Sequence, residues 1–190
     1  MISQETGKIM ISEEHLLAQL RDESTRKEAF RTLVATYKQR LYWHIRKIVL
    51  DHDDADDVLQ NTFIKVWRNI GGFRAESGLY TWLYRIATNE SLTFLSQKKK
   101  RMFGAGEEIS DYLVENIRTD PYFSGDEVQR KLQEAIALLP EKQRLVFNMR
   151  YFDDIKYQDM EKILDTSAGA LKASYHHAVK KIEDYFKSTD

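Results

Sequence analysis

"YQDMEKILDTSAGALKASYHHAVKKIEDYF", residues 157–186, divides into a short amphipathic run, a three-residue break and a longer amphipathic run. Tyr157 to Leu164 reads as one short helix, and Asp165-Thr166-Ser167 as a tight turn. Beyond the turn, Leu171, Tyr175, Ala178, Val179 and Ile182 recur at helical spacing and predict a buried stripe. Short helix, tight turn, longer helix is the pattern of a helix-turn-helix, whose second helix enters a DNA major groove. With that stripe facing inward, Lys172, Ala173, His176, His177 and Lys180 face outward, and Ser174 lies beside them. The small residues Ala168, Gly169 and Ala170 at the helix start let backbone N–H groups approach a phosphate. The adjacent histidines point about 100° apart on a helix, so they do not form a zinc pair. Helical hairpins that read no DNA share this pattern, so the stretch alone leaves both readings open.

The segment before it, "LPEKQRLVFNMRYF" at 139–152, starts a further helix at Pro140, with Leu145, Val146, Met149 and Phe152 as its stripe. The chain as a whole supports an all-α fold: 190 residues contain only two prolines and eight glycines, and no strand alternation is visible. Cysteine is absent, which excludes disulfides and thiolate metal sites and suits a reducing cytoplasm. No apolar run approaches the roughly 20 residues that span a bilayer, and no signal-peptide core is present. The expectation is a cytoplasmic protein without membrane insertion.

Charge divides the chain. Residues 1–101 hold 17 Lys/Arg against 13 Asp/Glu, and residues 128–190 hold 11 against 10. Between them "MFGAGEEISDYLVENIRTDPYFSGDE", 102–127, carries one arginine against seven acids, with three glycines and a proline. It reads as a flexible acidic linker between two small helical domains, 1–101 and 128–190.

In the first domain, Ser12 stands as the cap of a first helix. Ala29, Phe30, Leu33, Val34, Tyr37, Leu41, Ile45 and Ile48 outline a long one. "DHDDADDVLQNTFIKVW", 51–67, then places five aspartates in seven residues before an apolar stripe of Ala55, Val58, Leu59, Thr62, Phe63, Val66 and Ile70. Asp53 or Asp54 is the expected N-cap, and acids in the first turn gain typically 0.3–1 kcal/mol each from the helix dipole. A calcium loop is excluded by spacing: Asp56 stands where glycine is needed, and Thr62 where the final glutamate is needed. Metal is not expected. The opposite face carries Asp57, Gln60, Asn61, Ile64, Lys65 and Arg68. It is either a solvated surface or, given the isoleucine, a docking surface for a partner.

"FRAESGLYTWLYRIATNESLTFLSQKKKR", 73–101, predicts a helix capped by Ser77 with Leu79, Trp82, Leu83 and Ile86 buried. Tyr80, Tyr84 and Thr88 then point elsewhere, and Asn89 falls at the edge of the stripe. Aromatics interleaved with arginine and followed by four cations suit single-stranded nucleic acid, because rings stack on bases and cations follow phosphates. The same composition also fits core aromatics with a solvated helix end.

Three strings in this order, "DDADDVLQNTFIKVWRNI", "FRAESGLYTWLYRIATN" and "LPEKQRLVFNMRYFDDIKYQDMEKILDTSAGALKASYHHAVKKI", resemble bacterial RNA polymerase sigma factors of the extracytoplasmic-function group. They match that family's core-binding helix, promoter-melting helix and C-terminal helix-turn-helix, and the resemblance covers nearly the whole chain. It implies docking of Asp57, Gln60, Asn61 and Ile64 on the clamp helices of the polymerase β′ subunit, and the β flap as a further partner surface of core polymerase. The family usually has Glu where Asn61 stands, which removes one charge-assisted contact. It implies that Lys65, Phe73, Arg85 and Asn89 engage the −10 element, where one base is flipped from the stack. It implies that Lys172, Ala173, Ser174, His176, His177 and Lys180 read the −35 element. Ser174 and His177 replace common arginines there, so more readout of backbone and DNA shape is expected. The linker then threads the polymerase interior, and an anti-sigma protein is a common partner. No cofactor or catalysis is implied. A stand-alone helix-turn-helix regulator would instead dimerise on a palindrome. An enzyme would need a base or nucleophile beside the 51–57 carboxylates, and the sequence offers neither there.

Overall fold

The structure, a computed structural model, describes residues 12–102, 110–120 and 126–189. Every regular element among them is helical. The helices are α1 (Glu13–Arg21), α2 (Arg26–Val49), α3 (His52–Asn69), α4 (Leu79–Met102), α5 (Ser110–Thr119), α6 (Glu127–Ala137), α7 (Glu141–Tyr151), α8 (Tyr157–Leu164) and α9 (Ala168–Thr189), with one 3₁₀ turn at Ile70–Gly72.

The ends of these helices are set by identifiable groups. Ser12 Oγ accepts from the His15 amide at 3.2 Å and starts α1 as expected. The cap of α3 is Asp51, not Asp53 or Asp54: its carboxylate accepts from Asp54 N at 2.9 Å. Asp53 and Asp54 sit inside the first turn instead, where the dipole favours them. Nor is α4 started by Ser77. The Leu79 amide donates to Glu13 Oε1 at 2.7 Å, so α1 supplies the acceptor from across the fold. α7 begins directly after Pro140, which lacks the amide that a first turn leaves unpaired.

α2, α3 and α4 pack on one another, with α1 laid over α2. α6, α7 and α9 form a second group around Ala135, Ile136, Leu139, Phe147, Ala178 and Ile182. Besides that small cluster of its own, the second group shares the main one. Leu145, Val146, Met149, Ile155, Met160 and Ile163 of the second group join the same apolar cluster as Leu33, Ile45, Leu83 and Ala87 of the first. α4 packs on α8, and α2 on α7.

Two expectations change for this reason. Tyr84 and Thr88 do not point away from the core. Both are buried, because α4 is covered by α2 and also by α8. The acidic segment is also not simply a linker: residues 110–119 form α5, whose Leu113 and Ile117 are buried. The remaining expected linker residues 103–109 and 121–125 lie outside the described residues.

Candidate protein-docking and nucleic-acid interfaces

The five aspartates before α3 separate into different roles. Asp51 caps the helix. Asp54 pairs with Lys98 near the end of α4, and Lys98 also lies 4.7 Å from the centre of the Tyr112 ring of α5. Burial disfavours the charge on Lys98, but its bonds to Asp54 and Tyr112 outweigh that and raise its pKa. Asp56 faces His52 at 3.8 Å on the surface. Asp57 makes no ion pair among the described residues. It opens an exposed row with Gln60, Asn61 and Ile64.

That row exists because the helix period places residues 57, 60, 61 and 64 on one side of α3, opposite Val58, Leu59, Thr62 and Val66. Ile64 is 42% exposed and Trp67, one turn further on, is 38% exposed. Carboxylate and amide groups thus lie beside two partly exposed apolar side chains on this face.

The second group of candidate residues is only partly brought together. Lys65 is exposed and ion-paired with Glu90 of α4, which brings α3 beside the turn that carries Asn89. Arg85 and Asn89 are both exposed on α4. Phe73 is not. It is buried, its ring centre 5.1 Å from that of Trp82. Its carbonyl accepts from Arg21 of α1 at 3.1 Å. The loop after it turns through Ala75, whose φ is 57°.

This loop and α4 border an open cleft of about 660 Å³, to which Arg74, Ser77, Trp82 and Arg85 contribute. Its far wall comes from α8 and the turn that follows: Glu161, Lys162 and Asp165. Sequence reasoning missed this wall, since nothing in local pattern brings α8 beside residues 73–85.

The helix-turn-helix is formed by α8, the Asp165–Ser167 turn and α9. Asp165 takes the left-handed conformation, φ 49°. Glu161 Oε1 accepts from the Ala168 amide at 2.6 Å and Ser167 Oγ from the Ala170 amide at 3.4 Å. The expected amides at the start of α9 are therefore partly occupied from within. Leu171, Ala178 and Ile182 are buried, while Tyr175 and Val179 are half-buried. Lys172, Ala173, His176, His177 and Lys180 are all exposed, and Ser174 is half-buried at their edge. Lys172 Nζ lies 5.8 Å from the Tyr157 ring centre, and the His176 and His177 rings are 6.1 Å apart. The result is a narrow cationic and hydrogen-bonding face on the solvent side of α9. No helix among the described residues is long and apolar enough to cross a membrane.

Comparison with known proteins agrees with this arrangement. Residues 33–101 match the profile of Sigma-70 region 2, and residues 129–182 that of Sigma-70 region 4. The first of these contains α3 and α4, and the second contains α7, α8 and most of α9. The chain is 30% identical over 165 residues to the RNA polymerase sigma-H factor of Pseudomonas aeruginosa, covering 83% of this chain and 86% of that protein. It is 30% identical over 168 residues to the ECF RNA polymerase sigma-E factor of Haemophilus influenzae, covering 83% and 87%. The sigma factor RpoE, solved with the anti-sigma factor NepR from Bartonella quintana, superposes with a TM-score of 0.68 at 20% identity over 83% of this chain and 96% of that one. CnrH, solved with the cytosolic domain of CnrY, gives 0.67 at 20% identity over 92% and 97%. Two family regions in the right order, with relatives 30% identical over most of both chains, place the chain in the sigma-70 family, among the extracytoplasmic-function sigma factors that direct RNA polymerase to promoters.

Proposed function

We propose that this sigma factor docks on the β′ clamp helices of core polymerase through Asp57, Gln60, Asn61 and Ile64, and that α4 opens the −10 element while α9 reads the −35 element. The observation that carries this reading is the exposed row on α3: four side chains on one helix side with no intramolecular use of Asp57. At −10, Asn89 and Arg85 contact the displaced strand, and Lys65 joins them once released from Glu90. Phe73 acts through packing, since it holds Trp82 and the 73–78 loop in place. Flipping a base costs a few kcal/mol, offset by polymerase and upstream contacts.

At −35, Lys172 and Lys180 bind phosphates, while His176, His177, Ser174 and the Ala173 methyl group face base edges. α7 and α9 present the second region to the β flap, and the segment 102–127 runs through the polymerase interior. The protein works in the cytoplasm without a catalytic centre of its own. An anti-sigma factor accompanies the solved RpoE structure named above, and a partner of that kind is proposed here as well.

The test is transcription in vitro from a genomic fragment library with bacterial core polymerase. Defined start sites that depend on this chain are expected. Tight binding of the chain alone to a symmetric duplex, with no new transcripts, would instead identify a stand-alone regulator.

A further inference from the structure

Arg144, in the first turn of α7, is a buried cation that lacks a counter-charge. It is 3% exposed. Its Nη1 donates to the Ala137 carbonyl at 3.2 Å, while Nε has no hydrogen-bond partner. Among the described residues only Glu141 acts on it with opposite charge, and it does so without a hydrogen bond. Burial prevails and pushes the guanidinium below its usual range. Arg46, similarly buried, shows the ordinary arrangement: its guanidinium pairs with Asp120. A buried charge without a partner is costly, because water no longer solvates it and nothing replaces the water.

Arg144 borders a cavity of about 270 Å³ whose other walls supply more donors. Lys99 reaches it from the end of α4, and Ser110 from the start of α5. Lys98, the neighbour of Lys99, is held by Asp54, but Lys99 makes no ion pair among the described residues. Pro140 and Leu139 form an apolar wall. Pro140 also puts the start of α7 at this cavity, and no described side chain caps that helix. The amides of Glu141, Lys142 and Gln143 have no carbonyl within the helix to bond, and they carry the positive end of its dipole. Glu141 is the one acid at the cavity, and it is exposed at the rim.

We propose that this cavity binds a small tetrahedral oxyanion of the phosphate class, held by Arg144, Lys99, Ser110 and the first amides of α7. A guanidinium offers parallel donors to two oxygens of one phosphoryl group, and the free Nε–H of Arg144 is one of them. Lys99 adds a point charge, while the Ser110 hydroxyl and the α7 amides donate to the remaining oxygens. Size narrows the class. Pockets for drug-sized ligands run from roughly 300 Å³ to 1,000 Å³, so this one suits a free phosphate or a terminal phosphoryl group. Glu141 opposes the anion from the rim and weakens its binding. The site shares no residue with the α3 row or the outward face of α9, so it stands apart from the polymerase and promoter reading above.

The test uses the full chain and inorganic phosphate, with ionic strength held constant by chloride. Thermal unfolding should shift upward as phosphate replaces chloride, since a ligand that binds only the folded state stabilises it by mass action. In nitrogen-15 spectra the Arg144 Nε–H resonance, assigned by its loss in Arg144→Met, should move on the same titration. Lys99→Ala should weaken phosphate binding at least about fivefold by removing one cation, and Glu141→Gln should strengthen it about threefold by removing the opposing charge. Lys99 and Glu141 are not core residues, so these two variants keep the test valid even where Arg144→Met fails to fold.

Pyrophosphate and a nucleoside triphosphate, titrated in the same way, distinguish the source of the group. Tighter binding of the triphosphate identifies a terminal phosphoryl group, and tighter binding of phosphate the free ion. Either supports the site. A thermal shift no larger than that given by chloride overturns the proposal. So does a shift of equal size in the parent, Lys99→Ala and Glu141→Gln chains, which is the mark of general salt exclusion from the protein surface.

Discussion

At the scale of single residues, two turns in the second region carry aspartate where the backbone favours glycine. Asp154 and Asp165 have φ of 48° and 49°. Left-handed backbone crowds a Cβ against the following carbonyl, and only glycine escapes that fully. Asp165→Gly is therefore expected to stabilise the fold by about 0.5 kcal/mol, and Asp165→Val to destabilise it by about 1–2 kcal/mol. Urea unfolding of the pair measures the contrast. Leu50 also has a positive φ of 56°, but its side chain is buried, so Leu50→Gly would lose more from exposed core than it gains in the turn. On the α3 face, Asp57→Lys is expected to lower affinity for core polymerase at least about tenfold without changing stability, by reversing a charge at an exposed site. Competition binding against a reference sigma factor reads the affinity, and urea unfolding reads the stability.

At the scale of helices, the α3 and α9 stripes are legible in sequence because each helix is buried on one side only. α4 is not legible in this way. Its Tyr84 and Thr88 look polar enough to face solvent, yet α2 and α8 cover that side, and His44 satisfies the Thr88 hydroxyl. Phe73 looks like a base-stacking ring in a glycine-flanked loop, but Trp82 and Arg21 hold it inward. The start of α4 is likewise hidden from local pattern, since its acceptor is Glu13, 66 residues away. Glu13→Ala should cost about 1 kcal/mol, the usual loss of a helix cap. Faster hydrogen exchange at residues 79–82 is the local signature. In α9, Lys172→Ala and Lys180→Ala should each reduce the salt slope of promoter-fragment binding by about 1, as a lost phosphate contact does. His177→Ala should instead alter preference among −35 sequences.

At the scale of the whole molecule, acidity acts on the joint between the regions. Burial opposes ionisation of Asp153, but hydrogen bonds and charge from His44 and Lys47 outweigh it and hold its carboxyl below the ordinary 3.8. Tyr80 and Tyr84 of α4 also face it, both pushed up by burial and neutral at any working pH. A carboxyl depressed in the folded state contributes stability that is fully present above its unfolded value. That contribution is lost as pH falls through the depressed one. Thermal unfolding between pH 6 and about 3 should therefore lose stability steeply in the parent chain and less so in Asp153→Asn. The shared cluster of Met149, Ile155, Met160 and Ile163 has a separate consequence. A chain parted at this joint, with no polymerase to cover these side chains, shows grease to the cell: it is food for proteases and a seed for clumping.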